Sequence, residues 1–311
     1  MINEQFIGKL KGLKLDLDLK IGALDTDVKS LKKAARQNVT PEILKRINLI
    51  IGGSPLHLSN DFKIYWEKNP IAKIKSGKDY LSPEIDLIID DMVEFFDQKK
   101  LLNYLEIWLR NKISNDLDSL FKLKSIKISN SNIRALSYQL YENNGVIKRD
   151  KVTNIVKVLN QDERKVLRDI GVKFGRYHIF LYKLFKPGAV SLRVLLWKNF
   201  YQKYYNLNPP KFGLNFLEED KFKNQDFMLL CGFEKFDRFF VRIDILERLF
   251  IHIIKLNIEN KKEIKVIPQM LNLLGCNKES FIKLVKLMGY QAFNKENETY
   301  IKYIPKKSFK K

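Results

Sequence analysis

The chain has 311 residues, of which 45% are hydrophobic and 30% are charged. This composition argues against wholesale disorder and favours one large domain or two to three small ones. There are 57 Lys and Arg residues against 36 Asp and Glu residues, a formal net charge of +21 that attracts polyanions. Lys, Asn and Ile are all abundant, as in proteins from AT-rich genomes, so part of this charge could be compositional.

The cysteines and the lack of long apolar segments indicate the cellular compartment of the protein. Cys231 and Cys276 lie far apart and neither belongs to a CxxC motif, which argues against a disulfide scaffold and a structural zinc site. The N-terminal stretch "MINEQFIGKLKG" lacks the apolar core of a signal peptide. No apolar run approaches the roughly 18 residues of a membrane span. We therefore expect a cytoplasmic protein without a membrane partner.

The first part of the chain predicts helices around one hairpin. Residues 24–51 have helical spacing, and Thr40-Pro41-Glu42 has the signature of a helix start. The β-type runs "FKIYW" and "IAKIK" flank the turn "EKNP", which predicts a hairpin within 56–75. Apolar residues recur at intervals of three and four over 83–124, so we expect helices there.

The middle of the chain alternates helix and strand signals. Asn144-Gly145 ends a predicted helix, and Asn160 is a plausible N-cap for a helix that ends at Gly171. The run "VKFGRYHIFL" predicts strands with Gly175 as a turn or bulge, and the next helix enters through Pro187. Residues 239–243 predict a strand that is followed by another helix.

The last 45 residues predict two short helices and a hairpin around "NKENE". Helix, turn, helix and a two-stranded wing is the outline of a winged helix, although any small α+β unit would fit the same pattern. A weak internal similarity links residues 160–174 with residues 277–291. Both run from an Asn cap through an acidic first turn to a glycine and a strand.

The predicted fold is therefore α+β, predominantly α-helical, with short β-hairpins and a C-terminal winged-helix-like unit. We expect four segments. They are an N-terminal helical segment (1–55), a β-hairpin plus helical domain (56–160), a basic aromatic α+β segment (161–245), and the winged-helix-like unit with a basic tail (246–311).

The sequence contains none of the common catalytic or nucleotide-binding motifs. The chain has no Walker A, GxGxxG or GxSxG pattern, and none of its three histidines pairs with another ligand type at metal-binding spacing. His178 could serve as a general base, but no acid lies near it in sequence, so a structural histidine is the better interpretation. We expect no catalytic residue, cofactor site or metal site in this chain.

The strongest local signal is an acid-free stretch. Residues 170–217 contain no Asp or Glu and hold eight Lys or Arg residues among many aromatics. Lys and Arg neutralise phosphates, and exposed aromatic rings stack on bases. Spacing assigns Phe180, Phe185 and Trp197 to the core. The candidate nucleic-acid contacts are Lys173, Arg176, Tyr177, Lys183, Lys186, Arg193, Lys198, Lys203, Lys306 and Lys307.

Several segments together resemble one family. "GVKFGRYHIFL" and "LFKPGAVSLRVLLW" resemble a line that lies beyond the motor in alphaproteobacterial helicase-related proteins. These are superfamily-2 ATP-dependent helicases akin to the mitochondrial degradasome RNA helicase. "IYWEKNPIAKIKSGKDYLSPEIDLIID" and "ALSYQLYENNGVI" resemble segments upstream of that line, and "VRIDILERL" and "MLNLLGC" resemble segments downstream. The likeness covers most of the chain in order, and its specificity comes from that order.

The resemblance implies an accessory, nucleic-acid-guiding region whose ATPase motor lies outside this chain. ATP and magnesium are then expected only on an associated motor core, in cis or in trans, and the chain is not expected to hydrolyse ATP alone. The likeness to an RNA helicase slightly favours RNA over DNA. The alternative is a structural or partner-docking protein that binds no nucleic acid and whose charge is compositional.

Overall fold

The computed structural model describes residues 8–17, 25–125, 130–202, 205–218, 224–259 and 263–304. The chain forms two compact units. Unit 1 comprises Met1–Asn115 and Leu195–Leu207, and unit 2 comprises Asp116–Val194 and Asn208–Lys311. Helices and small antiparallel sheets occur in both units, so the α+β prediction is confirmed.

Unit 1 combines two small sheets with two long helices. A two-stranded sheet pairs β1 (Gly8–Lys11) with β2 (Lys14–Leu17). A four-stranded antiparallel meander contains β3 (Leu56–Leu58), β4 (Lys63–Trp66), β5 (Asn69–Lys75) and β6 (Glu84–Leu87), in that order. The helices are α1 (Asp25–Ile51) and α2 (Phe95–Asp116).

Two local predictions in unit 1 are wrong. Thr40-Pro41-Glu42 does not start a helix, because Pro41 lies inside the continuous α1 and the Thr40 hydroxyl donates to the Arg36 carbonyl at 2.9 Å. Residues 83–94 are not helical, because β6 pairs with β5 and α2 begins only at Phe95. The half-buried Ile85 and Leu87 alternate with exposed acids, so strand pairing overrides the helical spacing.

The predicted hairpin within 56–75 is confirmed as β4 and β5.

Unit 2 begins with α3 (Asp118–Lys124) and then runs through one order of elements three times: helix, strand, helical segment and hairpin. The first repeat comprises α4 (Ser131–Glu142), β7 (Val146–Lys148), α5 (Thr153–Val158), α6 (Gln161–Asp169), β8 (Val172–Phe174) and β9 (His178–Leu181). Short 3₁₀ segments, Arg149–Val152 and Tyr182–Phe185, lie before α5 and after β9.

The second and third repeats follow directly. The second comprises α7 (Pro187–Phe200), whose residues from Leu195 onward belong to unit 1, and then β10 (Phe216–Glu218), α8 (Gln225–Leu230), β11 (Phe233–Phe236) and β12 (Phe239–Arg242). The third comprises α9 (Ile243–Glu259), β13 (Ile264–Lys265), α10 (Pro268–Leu274), α11 (Lys278–Leu287), β14 (Tyr290–Lys295) and β15 (Glu298–Tyr303).

The three sheets of unit 2 share one strand order. In each, the second strand of the hairpin lies in the middle and pairs with both the first strand of the hairpin and the strand that precedes the helical segment. The orders are β7-β9-β8, β10-β12-β11 and β13-β15-β14, and all these pairings are antiparallel. The similarity between residues 160–174 and 277–291 therefore extends to the order of strands in space.

The matching helices of the first and third repeats also start and end alike. The Asn160 side chain caps α6 by accepting from the Glu163 backbone N–H, and Asn277 caps α11 by accepting from the Ser280 N–H. A glycine with positive φ follows each helix, Gly171 at 105° and Gly289 at 92°. These glycines turn the chain from the helix into a strand.

Candidate nucleic-acid interface

The structure distributes the predicted contacts over different environments. Four of the predicted contacts are exposed basic side chains of unit 2: Lys173, Arg176, Lys183 and Lys186. Tyr177 and Lys198 are half-buried, and Lys198 belongs to unit 1. The predictions for Lys203, Lys306 and Lys307 lie outside the described residues. The spacing-based assignment of Phe180, Phe185 and Trp197 to the core is confirmed by their burial.

Arg193 has to be removed from the candidate contacts. Its side chain is 0% exposed, and its guanidinium donates to the carbonyls of Asn144 at 3.0 Å and Leu184 at 2.7 Å. It therefore supports the packing of α7 and cannot reach a phosphate. The buried apolar residues that surround it in sequence signal this placement, because α7 shows no polar face between Val190 and Leu196.

A cleft in unit 2 contains two of the predicted contacts. Its volume is about 490 Å³, within the usual ~300–1,000 Å³ of ligand pockets. The β8–β9 hairpin contributes Lys173 and Arg176 to one wall, and α9 contributes Arg248 and Phe250 to another. The remaining lining residues are Arg149, Phe174, Gly175, Phe180, Tyr182, Asp244, Glu247, Ile251 and Ile254.

Basic and aromatic groups are interleaved along this cleft. The Lys173 ammonium lies 5.7 Å from the centre of the Tyr182 ring, and the Arg176 guanidinium lies 5.5 Å from the centre of the Phe250 ring. Arg248 is exposed, and Tyr182 is 44% exposed. Cations held over aromatic faces remain available to an anion while the rings offer flat apolar surfaces.

The two acids of the cleft are occupied by partners from the protein. Asp244 accepts two hydrogen bonds from the Arg242 guanidinium, at 3.0 and 2.7 Å. Glu247 accepts backbone N–H bonds from Tyr177 at 2.8 Å and His178 at 3.0 Å, and also one from Arg176. Both carboxylates are therefore already bound by groups of the protein, and the accessible charge of the cleft is positive.

Behind the hairpin lies a buried charge network. His178 Nε2 lies 2.8 Å from Glu234 Oε2, and its Nδ1 lies 3.8 Å from Glu247 Oε1. Lys148 Nζ forms an ion pair with Glu234 Oε1 at 2.7 Å. His178 and Glu234 are almost fully buried, so neither side chain can contact a substrate directly. It positions the turn that carries Arg176.

The network shifts the pKa of each of its central members. Burial lowers the pKa of His178, but hydrogen bonds to Glu234 and Glu247 outweigh it and hold that pKa above its usual value. Burial raises the pKa of Glu234, but His178 and Lys148 outweigh it. Burial also raises the pKa of Glu247, but hydrogen bonds with His178 and with three backbone N–H groups outweigh it and hold that pKa below its usual value. The charged forms are therefore favoured.

Sequence reasoning missed most of the cleft. The acids that satisfy His178 lie 56 and 69 residues downstream of it, at Glu234 and Glu247. Arg149 and Arg248 come from segments outside the acid-free stretch. No local pattern links these positions, because the tertiary packing of α9 against the hairpin brings them together. The one local signal is the alternation of charged and apolar residues in α9.

The other chemistry in the described residues is sparse. No group of three or more His, Cys, Asp or Glu side chains there is arranged to hold a metal ion. Burial raises the pKa of the Cys231 thiol to about 12 and that of Cys276 to about 11, as for structural thiols. No helix in the described ranges is long and apolar enough to cross a membrane.

Comparisons of this chain with known proteins identified no relative. The chain matched no protein-family model, no curated protein and no solved structure.

Proposed function

We propose that this chain is a nucleic-acid-binding accessory protein or subunit of a superfamily-2 helicase and that it has no ATPase core of its own. The observation that carries the binding function is the cleft of unit 2, where exposed cations border aromatic faces and the acids are already bound. Phosphates supply most of the affinity in such a site, so binding is salt-sensitive and reads sequence little.

The helicase context of this proposal depends on the family resemblance in the sequence. A motor core in cis or in trans would hold ATP and magnesium, and this chain would guide the strand. RNA is placed slightly ahead of DNA for the same reason. The third repeat, from α9 to β15, has the element order and central second wing strand of a winged helix, and we propose that it is winged-helix-like.

The test is oligonucleotide binding as a function of salt, with a matched pair of charge reversals. Lys173→Glu with Arg248→Glu alters the cleft, and Lys99→Glu with Lys100→Glu alters exposed positions of α2 in unit 1. Each pair lowers the formal net charge of +21 by four. We expect the cleft pair to weaken binding roughly tenfold or more and to reduce the salt slope by about two, with a smaller effect of the control pair.

A second candidate function is partner docking without nucleic-acid binding. Phe95 and Phe96 are 78% and 73% exposed at the start of α2, and the exposed Asp91 and Glu94 precede them. Exposed aromatic pairs of this kind are typical of protein contacts. Absence of binding to RNA and DNA at low salt would refute the nucleic-acid proposal and favour docking. Equal losses for the two charge-reversal pairs would refute the cleft as its site.

A further inference from the structure

A second, smaller pocket shares a wall with the cleft. It has a volume of about 110 Å³ and contains Arg176, Phe250 and Ile254, which also line the larger cleft. Beyond these shared residues it continues to Tyr290 and Tyr303 of the third repeat. The two pockets therefore lie side by side, with the Arg176 guanidinium over the Phe250 ring as the divider between them.

The cleft and the smaller pocket together form a groove, and four side chains with large apolar surfaces are exposed along it. Tyr182 is 44% exposed, Ile251 55% and Ile254 43% in the larger pocket, and Tyr303 is 44% exposed in the smaller one. Contacts with phosphates alone would leave these apolar faces in water, where exposed apolar area is unfavourable. Flat rings that enter the groove would cover these faces, while the cations beside them meet phosphates.

We infer that the groove binds single-stranded nucleic acid and holds successive unpaired bases in the two pockets on either side of the Arg176–Phe250 divider. The inference rests on the proposed function and adds the form of the nucleic acid to it. Bases in a duplex are stacked and paired, so their faces cannot reach Phe250 or Tyr182. A single strand can present both its faces and its phosphates to the groove.

The direct test compares four probes of equal length at one salt concentration: single-stranded RNA, single-stranded DNA, a DNA duplex, and an abasic strand that keeps the phosphates. We expect both single strands to bind roughly fivefold or more tighter than the duplex and the abasic strand. The RNA and DNA arms decide which sugar is preferred. Equal affinity for all four probes overturns base binding but leaves the proposed function intact, whereas no binding to any probe overturns both.

Two aromatic substitutions and their matched controls place the bases in the groove. Phe250→Leu keeps apolar volume but removes the ring, and Phe216→Leu does the same to another half-buried ring of the same core that lines neither pocket. Tyr182→Ala removes an exposed ring of the cleft, and Tyr138→Ala removes a 62% exposed ring elsewhere in unit 2.

We expect Phe250→Leu and Tyr182→Ala each to weaken binding of the single strand roughly fivefold or more while the salt slope stays unchanged. The abasic strand should bind all variants alike, and the two controls should behave as the wild type. If the controls weaken single-strand binding as much as the groove variants, or if the groove variants have no effect, the assignment of bases to these pockets is wrong.

Discussion

The first and third repeats of unit 2 share an order of elements but hold their hairpins in place by different means. The third hairpin has six residues in each strand, and Glu296 and Asn297 close its turn with positive φ values of 51° and 60°. Its geometry is encoded locally. The first hairpin has only three and four strand residues, and its turn is bound by Glu247 from α9, the opening helix of the third repeat.

The difference shows what a short hairpin requires. With few ladder bonds of its own, the turn at Gly175 and Arg176 takes its conformation from a distant carboxylate and from the buried network behind it. The same turn carries the Arg176 side chain into the groove. The repeat with the weaker local encoding therefore shares the candidate interface with α9, the helix that positions its turn.

The largest expected effect is the loss of the carboxylate that joins the two repeats. Glu247→Ala leaves three backbone N–H groups without their acceptor and removes one of the two carboxylates that face His178. Removing one partner of a buried charge network costs about 3–5 kcal/mol. We expect a strongly lowered midpoint of thermal or urea unfolding. The control is Glu279→Ala in α11, whose exposed pair with Lys283 at 2.6 Å should matter little. Equal effects of the two substitutions would mean that the first hairpin does not depend on α9.

A smaller effect is expected from crowding the same contact. A Cβ added at Gly175 would overlap the Glu247 carboxylate, so Gly175→Ala should displace the turn and cost about 1–3 kcal/mol. The control is Gly188→Ala in the first turn of α7, where a Cβ meets nothing within 4 Å. That control should leave stability unchanged or raise it by up to about 1 kcal/mol. Urea unfolding of both variants measures the difference, and a wild-type midpoint for Gly175→Ala would contradict it.

The sequence predicted best where structure is encoded locally. The Asn160 cap, the entry of α7 at Pro187 and the hairpin around "NKENE" all rest on neighbours within a few residues, and the structure confirms each of them. Of the two residues that the sequence offers as the cap of α11, Asn277 and Lys278, the structure shows Asn277. The short strand β7 escaped prediction because three residues carry too little pattern. β6 was predicted as helix because its apolar residues also fit a helical spacing, and only pairing with β5 decides between the two.

The candidate site was predicted only in part, for a related reason. Lys173 and Arg176 lie on a hairpin that the sequence indicates, so charge and exposure sufficed to propose them. Arg248 and Glu247 come from α9, about 70 residues away, and contacts at that separation leave no local pattern. The prediction of Arg193 as a nucleic-acid contact was wrong because its charge was taken as a sign of exposure. The mostly apolar residues around it in sequence indicate a buried helix.

The smallest expected effect is a dependence of stability on pH that arises from the charge network behind the first hairpin. The pKa of His178 is raised by Glu234 and Glu247, so its protonation stabilises the fold below pH about 6.5 and this contribution is lost as the pH rises through its folded pKa. The lowered pKa values of Glu234 and Glu247 act in the opposite sense, and their contribution is lost as the pH falls below about 4.5. His178→Gln keeps a donor for Glu234 but cannot titrate. The Tm difference between the wild type and His178→Gln should therefore shrink as the pH is raised from 6 to 9, and a constant or growing difference would show that His178 is not held in its charged form.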